Sequence, residues 1–452
     1  MNIKGLTRVY FVGIGGIGMS ALARFFRSQG VTVSGYDRTE TDLTKQLVAE
    51  GIAIHYTDDV ALIDKDAELV VYTPAIPKDH KELNWLRDNS YPVYKRSDVL
   101  QWITEAMFAV TVAGTHGKTT ISTMIAYLLR ETGYGCNAFL GGIAVNYNNN
   151  YWSSSNDTAV IEADEYDRSF LKLSPDIAVL TAMDADHLDI YGTAEEMERA
   201  FIQYTANIKD DGTLIAKHGL HRGADLKASH IITYSLQNDA ADVYGTNIVL
   251  HNGTYTFDII AKGWSMTGVH LPIGGMHNVE NAIVAITVTQ LLKIDPAKVK
   301  AALAGFKGVK RRFEYVVKTD KMVYIDDYAH HPEELAALIG SAKTLFPGRK
   351  CVVAFQPHLY SRTRDLADGF AHSLDMADEV ILLDIYPARE LPMEGVSSQM
   401  IADRMGNPAH TILSKEGLQE YVKAAPLSLF ITAGAGDIDK LVNPIKEILE
   451  NK

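Results

Sequence analysis

The residues best equipped for chemistry are Gly114-Thr115-His116-Gly117-Lys118-Thr119-Thr120, which end a β-branched run, Ala109-Val110-Thr111-Val112-Ala113. Ile121, Met124, Ile125, Leu128 and Leu129 follow at the i, i+3, i+4, i+7 spacing of a helix. Strand, glycine turn and helix N-terminus predict a phosphate cradle, with backbone N–H groups and the helix dipole facing an anion. Lys118 would place a point charge on the phosphates, and the Thr119 hydroxyl would serve Mg2+. Val112 stands where the full P-loop pattern has glycine, so the match is the shortened G-x-x-G-K-T. The expected ligand is a nucleoside triphosphate.

Downstream, Asp157–Glu165 and Ile177–Thr181 are apolar runs with polar residues at their carboxyl ends. They read as parallel strands that bring side chains to the phosphate edge. Glu162 is the expected Mg2+ carboxylate, since nucleotide-bound Mg2+ takes one or two acids plus phosphate oxygens. Asp164, Glu165 and Asp167 compete with it. His187, within Asp186-His187-Leu188-Asp189, is a ligand candidate because acids flank it beyond a strand end. Asn281 offers a donor and an acceptor, as an adenine edge requires. Asn278 has the bland alternative of capping the helix.

A second glycine turn lies at Gly13-Ile14-Gly15-Gly16-Ile17-Gly18, between a strand (Arg8–Val12) and a helix, with Asp37 ending the next strand. This G-x-G-x-x-G unit fits a nucleotide or diphosphate. Asp37 would accept from ribose or base donors. Thr73-Pro74-Ala75-Ile76-Pro77 ends another strand, where open α/β sheets bind ligands, although a plain turn serves equally. Further on, Lys310-Arg311-Arg312 is a basic cluster, either a solvated hinge or a clamp for a transferring phosphate. Asp326-Asp327-Tyr328-Ala329-His330-His331 ends a strand, and His358 and Arg362 follow the run Cys351–Phe355.

The elements that must position these groups alternate between strand and helix throughout. An α/β protein of three domains follows, each built on a mainly parallel sheet: N-terminal Rossmann-like, central P-loop ATPase-like and C-terminal Rossmann-like. The expected divisions are 1–105, 106–314 and 315–452. The chain has 452 residues, too many for one core. Its net charge of −13 argues against a broad basic surface for nucleic acid. Two lone cysteines fit a reducing compartment, and neither a signal peptide nor a membrane-spanning run is visible. A cytoplasmic protein is expected, with no membrane partner.

Taken together, the Gly13–Ser20, Ala113–Thr120, Glu162–Glu165, Asp186–Asp189, Arg311–Glu314, Asp326–Pro332 and Phe355–His358 stretches resemble the Mur ligases, the ATP-dependent amino-acid-adding enzymes of peptidoglycan synthesis. The likeness spans essentially the whole chain. It implies that the lactyl carboxylate of UDP-N-acetylmuramate attacks the γ-phosphate of ATP, giving an acyl phosphate that the amine of L-alanine then attacks. Under it, Gly114, Thr115, His116, Gly117, Lys118, Thr119, Thr120, Asn281, Arg312, Asp327 and His330 bind ATP. Thr119, Glu162 and His187 hold Mg2+. Gly13, Gly15, Gly16, Ile17, Gly18, Asp37, Thr73 and Ala75 bind the UDP-sugar. Lys118, Glu162 and His187 act in catalysis, with His358 and Arg362 positioning the amino acid or the intermediate. Closure of the domains is expected, since an acyl phosphate must be kept from water.

Many Mur ligases carry a carbamylated lysine about 14 residues beyond that histidine. Counting from His187 reaches Phe201, which points to the branch adding L-alanine. Tyr166 after Glu165 resembles instead the murein-recycling branch, which attaches a tripeptide to the same sugar nucleotide. His187–Thr193 and Phe355–His358 with Thr363–Asp365 favour the L-alanine branch. Three rivals explain less. A dehydrogenase accounts for Gly13–Asp37 and leaves Lys118 without purpose; a non-catalytic ATP-gated protein has no need of the third domain's cluster. A folate-glutamylating ligase would lack the N-terminal UDP-type domain.

Overall fold

The structure, a computed structural model, describes residues 3, 5–184, 188–388 and 390–452. Five short strands, β1 (Arg8–Val12), β2 (Thr32–Tyr36), β3 (Ala53–His55), β4 (Leu69–Tyr72) and β5 (Val93–Lys95), form a parallel sheet in the order β3-β2-β1-β4-β5. Val9, Tyr10, Phe11 and Val12 are all fully buried, as a strand covered on both faces requires. The chain runs outward from β1 on one side and from β4 on the other. A crevice is therefore expected between the carboxyl ends of β1 and β4.

The second sheet has ten strands: β6 (Phe108–Ala113), β7 (Asn137–Ala144), β8 (Asn149–Trp152), β9 (Thr158–Glu162), β10 (Ile177–Leu180), β11 (Thr213–Lys217), β12 (His230–Ser235), β13 (Val243–His251), β14 (Thr254–Ala261) and β15 (Trp264–Leu271). Their order is β15-β14-β13-β12-β11-β10-β6-β9-β7-β8, so β6 lies between β9 and β10 and is parallel to both. The third sheet orders β16 (Glu314–Lys318), β17 (Val323–Asp327), β18 (Cys351–Phe355), β19 (Glu379–Leu382), β20 (His410–Ile412) and β21 (Leu429–Ala433) as β16-β17-β21-β18-β19-β20. Only β16 is antiparallel to its neighbour. The architecture is the three-domain α/β arrangement expected.

By compactness the chain forms two units. One comprises 1–246, 258–267 and 280–303, the other 247–257, 268–279 and 304–452. In the first unit the N-terminal and central sheets share one hydrophobic core. The helix Ile17–Ser28 supplies the joint: the Phe25 ring lies 5.4 Å from Phe139 and 6.5 Å from Tyr151, on β7 and β8. Polar groups at this joint are matched. Asn150, fully buried, donates to the Ile17 carbonyl at 2.5 Å and accepts from Arg24 at 2.5 Å, while Arg24 grips Glu50 through two 2.8 Å hydrogen bonds. Asn150→Ala strands the Arg24 Nη1 donor, while the Ile17 carbonyl keeps the Ser20 hydroxyl at 2.9 Å, and should cost about 1–3 kcal/mol, read as a lower thermal midpoint.

Candidate active site

At the end of β6 the chain turns through Gly114 (φ +124°) and Gly117 (φ +79°) into the helix Lys118–Glu131. A Cβ on Gly114 would lie 2.2 Å from the Thr181 hydroxyl, so the turn depends on glycine for space as well as for φ. Thr181 Oγ1 donates to the His116 carbonyl at 2.5 Å, pinning the loop to the end of β10. The His116 ring is largely exposed, 3.4 Å from Asp184. The buried Thr115 hydroxyl makes no hydrogen bond among the described residues. Lys118 Nζ donates to the Gly114 carbonyl at 2.8 Å and to Glu165 at 2.6 Å.

The structure sorts the competing carboxylates. Glu162, last residue of β9, accepts from the Thr119 hydroxyl at 2.9 Å through Oε1 and from the Gly141 amide at 3.0 Å through Oε2. Glu165 is committed to Lys118. Asp164 accepts from the Tyr166 amide and faces Arg96, and Asp167 accepts from the Ser169 amide. Thr119 and Glu162 thus bring two hard oxygen ligands together at the helix start, a set that suits Mg2+ completed by phosphate oxygens. No group of three or more His, Cys, Asp or Glu able to hold a metal occurs among the described residues. His187 lies outside the described residues. Phe201 is fully buried, its ring 5.3 Å from Phe170, so that position belongs to the core.

Asn281, expected at an adenine edge, lies against the phosphate loop: its Oδ1 is 3.0 Å from where a Gly117 Cβ would stand. Asn278 does not cap its helix, which begins at Met276. Its amide donates to the Gly274 carbonyl at 2.6 Å.

In the N-terminal sheet, Gly13 (after β1) and Thr73 (after β4) meet at the predicted crevice, where a Cβ on Gly13 would lie 2.6 Å from the Thr73 methyl. Ala75 N–H reaches Thr73 Oγ1 at 3.5 Å. Gly16 caps the helix that starts at Ile17, with Gly18 in its first turn. Asp37, expected to face a ribose or base, accepts from the Gly15 amide at 2.7 Å and the Thr39 amide at 3.3 Å, so it also holds the turn in shape. A cation missing from the sequence reading stands here: a Cβ on Gly18 would lie 2.0 Å from Arg96 Nη1. Arg96 opens an ordinary-looking helix, and no motif signals it.

In the second unit the neighbouring arginines divide their work. Both lie over the Tyr328 ring, at 5.2 Å and 5.6 Å from its centre, but Arg311 also pairs with Asp326 at 3.3 Å and donates to the Gly434 carbonyl, whereas Arg312 forms no ion pair among the described residues. Asp327, expected at the nucleotide, accepts from the Phe313 amide at 2.6 Å and the Ala329 amide at 2.7 Å. Both oxygens shape the backbone, so this residue is an organiser of the strap 311–313. Burial pushes Asp326 up to about 7 and Asp327 up to about 6, against the pull of Arg311 and of backbone N–H groups respectively. A folded-state value above the unfolded one favours the protonated fold. Asp326 therefore contributes stability below about pH 4 that is lost as pH rises to about 7. Asp326→Asn should flatten this decline in denaturation measured from pH 4 to 8.

His330 lies with its ring centre 6.3 Å from that of His358, which stacks on Tyr386 at 5.9 Å. Arg362 carries a buried Nη1 with no hydrogen-bond partner among the described residues, a charge suited to an anion. Leu359, between them, is held at φ +70°, ψ 136°, a conformation that a non-glycine residue adopts under strain. Glu390 accepts from the Ser361 amide at 3.0 Å at the start of the helix Tyr360–Leu374. Tyr386 also borders a cavity of about 340 Å3 at the carboxyl ends of β18 and β19, with Gln356, Asp384, Lys415 and Asp437 in its wall. Gln356 donates to Asp437 at 2.9 Å, and Lys415 pairs with Asp437.

A glycine turn carrying Lys118 and the Thr119–Glu162 oxygen pair, in one compact unit with a second glycine turn after a strand, is an arrangement suited to a nucleoside triphosphate and a nucleotide-linked substrate. The chain belongs to the Mur ligase family. It matches the models for the Mur ligase family catalytic domain over 8–107, the middle domain over 112–289 and the glutamate ligase domain over 311–436. It is 46% identical over 461 aligned residues to the UDP-N-acetylmuramate--L-alanine ligase of Cytophaga hutchinsonii, covering 100% of this chain and 99% of that one. It is 48% identical to that of Parabacteroides distasonis, covering 99% and 98%. Its fold is similar to the crystal structure of UDP-N-acetylmuramate-alanine ligase from Thermotoga maritima, with a TM-score of 0.82, 30% identity and coverage of 98% and 99%. The murein peptide ligase of Psychrobacter arcticus shares the fold at a TM-score of 0.67 and 22% identity, with 99% of each chain covered.

Proposed function

We infer that this protein joins L-alanine to the lactyl carboxylate of UDP-N-acetylmuramate at the expense of ATP, through an acyl phosphate. The observation that carries the reading is Lys118 with the Thr119–Glu162 oxygen pair, set in a chain alike from end to end to relatives named for this reaction. A carboxylate is a poor acyl donor at neutral pH, and phosphorylation supplies the leaving group. Two anions must meet, so charge neutralisation is the main demand.

The Gly114–Thr120 amides and Lys118 would receive the β- and γ-phosphates of ATP. Thr119 and Glu162 are the proposed Mg2+ ligands, with His187 as the resemblance has it; the ion would spread the charge developing on the transferring phosphoryl group. Gly13–Gly18 and Thr73, with Arg96 added by the structure, would hold the diphosphate of the UDP-sugar. Asn281 is proposed to brace the phosphate loop. Arg312, Asp327 and His330 remain the nucleotide candidates of the second unit. Arg362 and His358 would orient the amino acid, and the cavity beside Tyr386, with a lysine and carboxylates in its wall, offers partners for both charges of a zwitterion. The proposed domain divisions are 1–105, 106–314 and 315–452. No helix among the described residues is long and apolar enough to cross a membrane, and a cytoplasmic setting is proposed from the substrates.

The test is phosphate release with ATP, Mg2+ and UDP-N-acetylmuramate, with either L-alanine or L-Ala-γ-D-Glu-meso-diaminopimelate added. Turnover with L-alanine is expected. Turnover with the tripeptide alone would move the protein to the recycling branch.

A further inference from the structure

Beyond the residues assigned above, we propose that Glu165 is a positioning residue for Lys118, aiming its amine and setting how strongly the phosphate loop draws an anionic nucleotide. An ammonium has three donors. Here one goes to the Gly114 carbonyl at 2.8 Å and one to Glu165 Oε1 at 2.6 Å, which leaves a single N–H for a phosphate. The anchor is firm, since the Glu165 carbonyl accepts from the Tyr191 hydroxyl at 2.7 Å and from the Arg168 amide at 3.0 Å. Glu165 is only 1% exposed, and its Oε2 makes no hydrogen bond among the described residues, so Lys118 is the partner that compensates its burial. Burial pushes the carboxyl up and Lys118 pulls it back.

Two consequences follow from placing a buried carboxylate on a phosphate-binding lysine. The long, flexible lysine stem is held to one direction before nucleotide arrives. The carboxylate also offsets the lysine charge, which weakens attraction for ATP and for the product ADP alike. Uniform binding of that kind does nothing for the chemical step, whereas releasing ADP does help turnover.

The inference rests on reading this loop as the ATP site, and the two are tested apart. MgADP binding by calorimetry to the full chain, lost in Lys118→Ala, tests the site. Glu165→Gln keeps an acceptor for Lys118 and removes the charge, so MgADP should bind on the order of tenfold tighter. Glu165→Asp keeps the charge and draws the acceptor back by one methylene. Its MgADP affinity should stay within about twofold of wild type while kcat falls on the order of tenfold. Equal shifts in MgADP affinity for the Gln and Asp variants, or no shift in a folded Gln variant, would overturn the proposal. Should Glu165→Gln not fold, an unchanged kcat in Glu165→Asp overturns it alone.

Discussion

Lys118→Ala should lower turnover by a factor on the order of 10² or more, with loss of nucleotide affinity. The amine is the cation held at the mouth of the phosphate loop, within 2.8 Å of the Gly114 carbonyl. Phosphoryl transfer asks the protein mainly for position and charge, and alanine supplies neither. A second effect comes from the partner. Glu165 is 1% exposed and would be left as a buried carboxylate without compensation. Such breakage costs about 3–5 kcal/mol, reduced to the extent that Glu165 takes up a proton. Adding Glu165→Gln to Lys118→Ala should therefore recover thermal stability and leave activity unrecovered. Near-normal turnover in Lys118→Ala would remove the loop from the mechanism.

Gly141→Ala should be nearly as damaging, although Gly141 would contact no substrate in this account. A Cβ there would stand 2.3 Å from Glu162 Oε2 and 2.5 Å from its carboxyl carbon, far inside van der Waals contact. The carboxylate would have to swing away from the Gly141 amide and from the Thr119 hydroxyl, breaking up the proposed Mg2+ ligands. Disturbing the groups that orient a metal ligand typically costs 10–100-fold in affinity or activity, and a fall of about that size is expected here. Raising Mg2+ should restore part of the loss, since the defect lies in metal affinity. The fold should survive, because Gly141 is exposed on β7. A wild-type Mg2+ dependence in this variant would detach Glu162 from the metal.

The sequence by itself determined which residue types stand at the strand ends. Gly13–Gly18, Gly114–Thr120 and Glu162 are local patterns: a strand period, a glycine where φ must be positive or a backbone must come close, and a polar residue where the apolar run stops. Such signals need only near neighbours in the chain, so the three-sheet architecture and the glycine turn into the helix Lys118–Glu131 were readable. The hairpin β7–β8 and the strands β11–β15 were not, because whether such runs pair, and with which strand, is settled across the sheet rather than along the chain.

Only the tertiary structure decided which of several similar residues does what. Glu162, Asp164, Glu165 and Asp167 look interchangeable in the chain; packing gives the first to Thr119, the third to Lys118 and the other two to backbone amides. Arg311 and Arg312 are neighbours, yet the fully buried Asp326 takes only Arg311. Arg96 reaches the Gly18 turn across 78 residues of sequence (96 − 18), and Asn150 reaches Ile17 across 133. The physical reason is common to all of them. A side chain's role follows from its distance to a charge or a donor in a low-dielectric setting, and that distance is set by how helices and sheets pack, which local sequence does not encode.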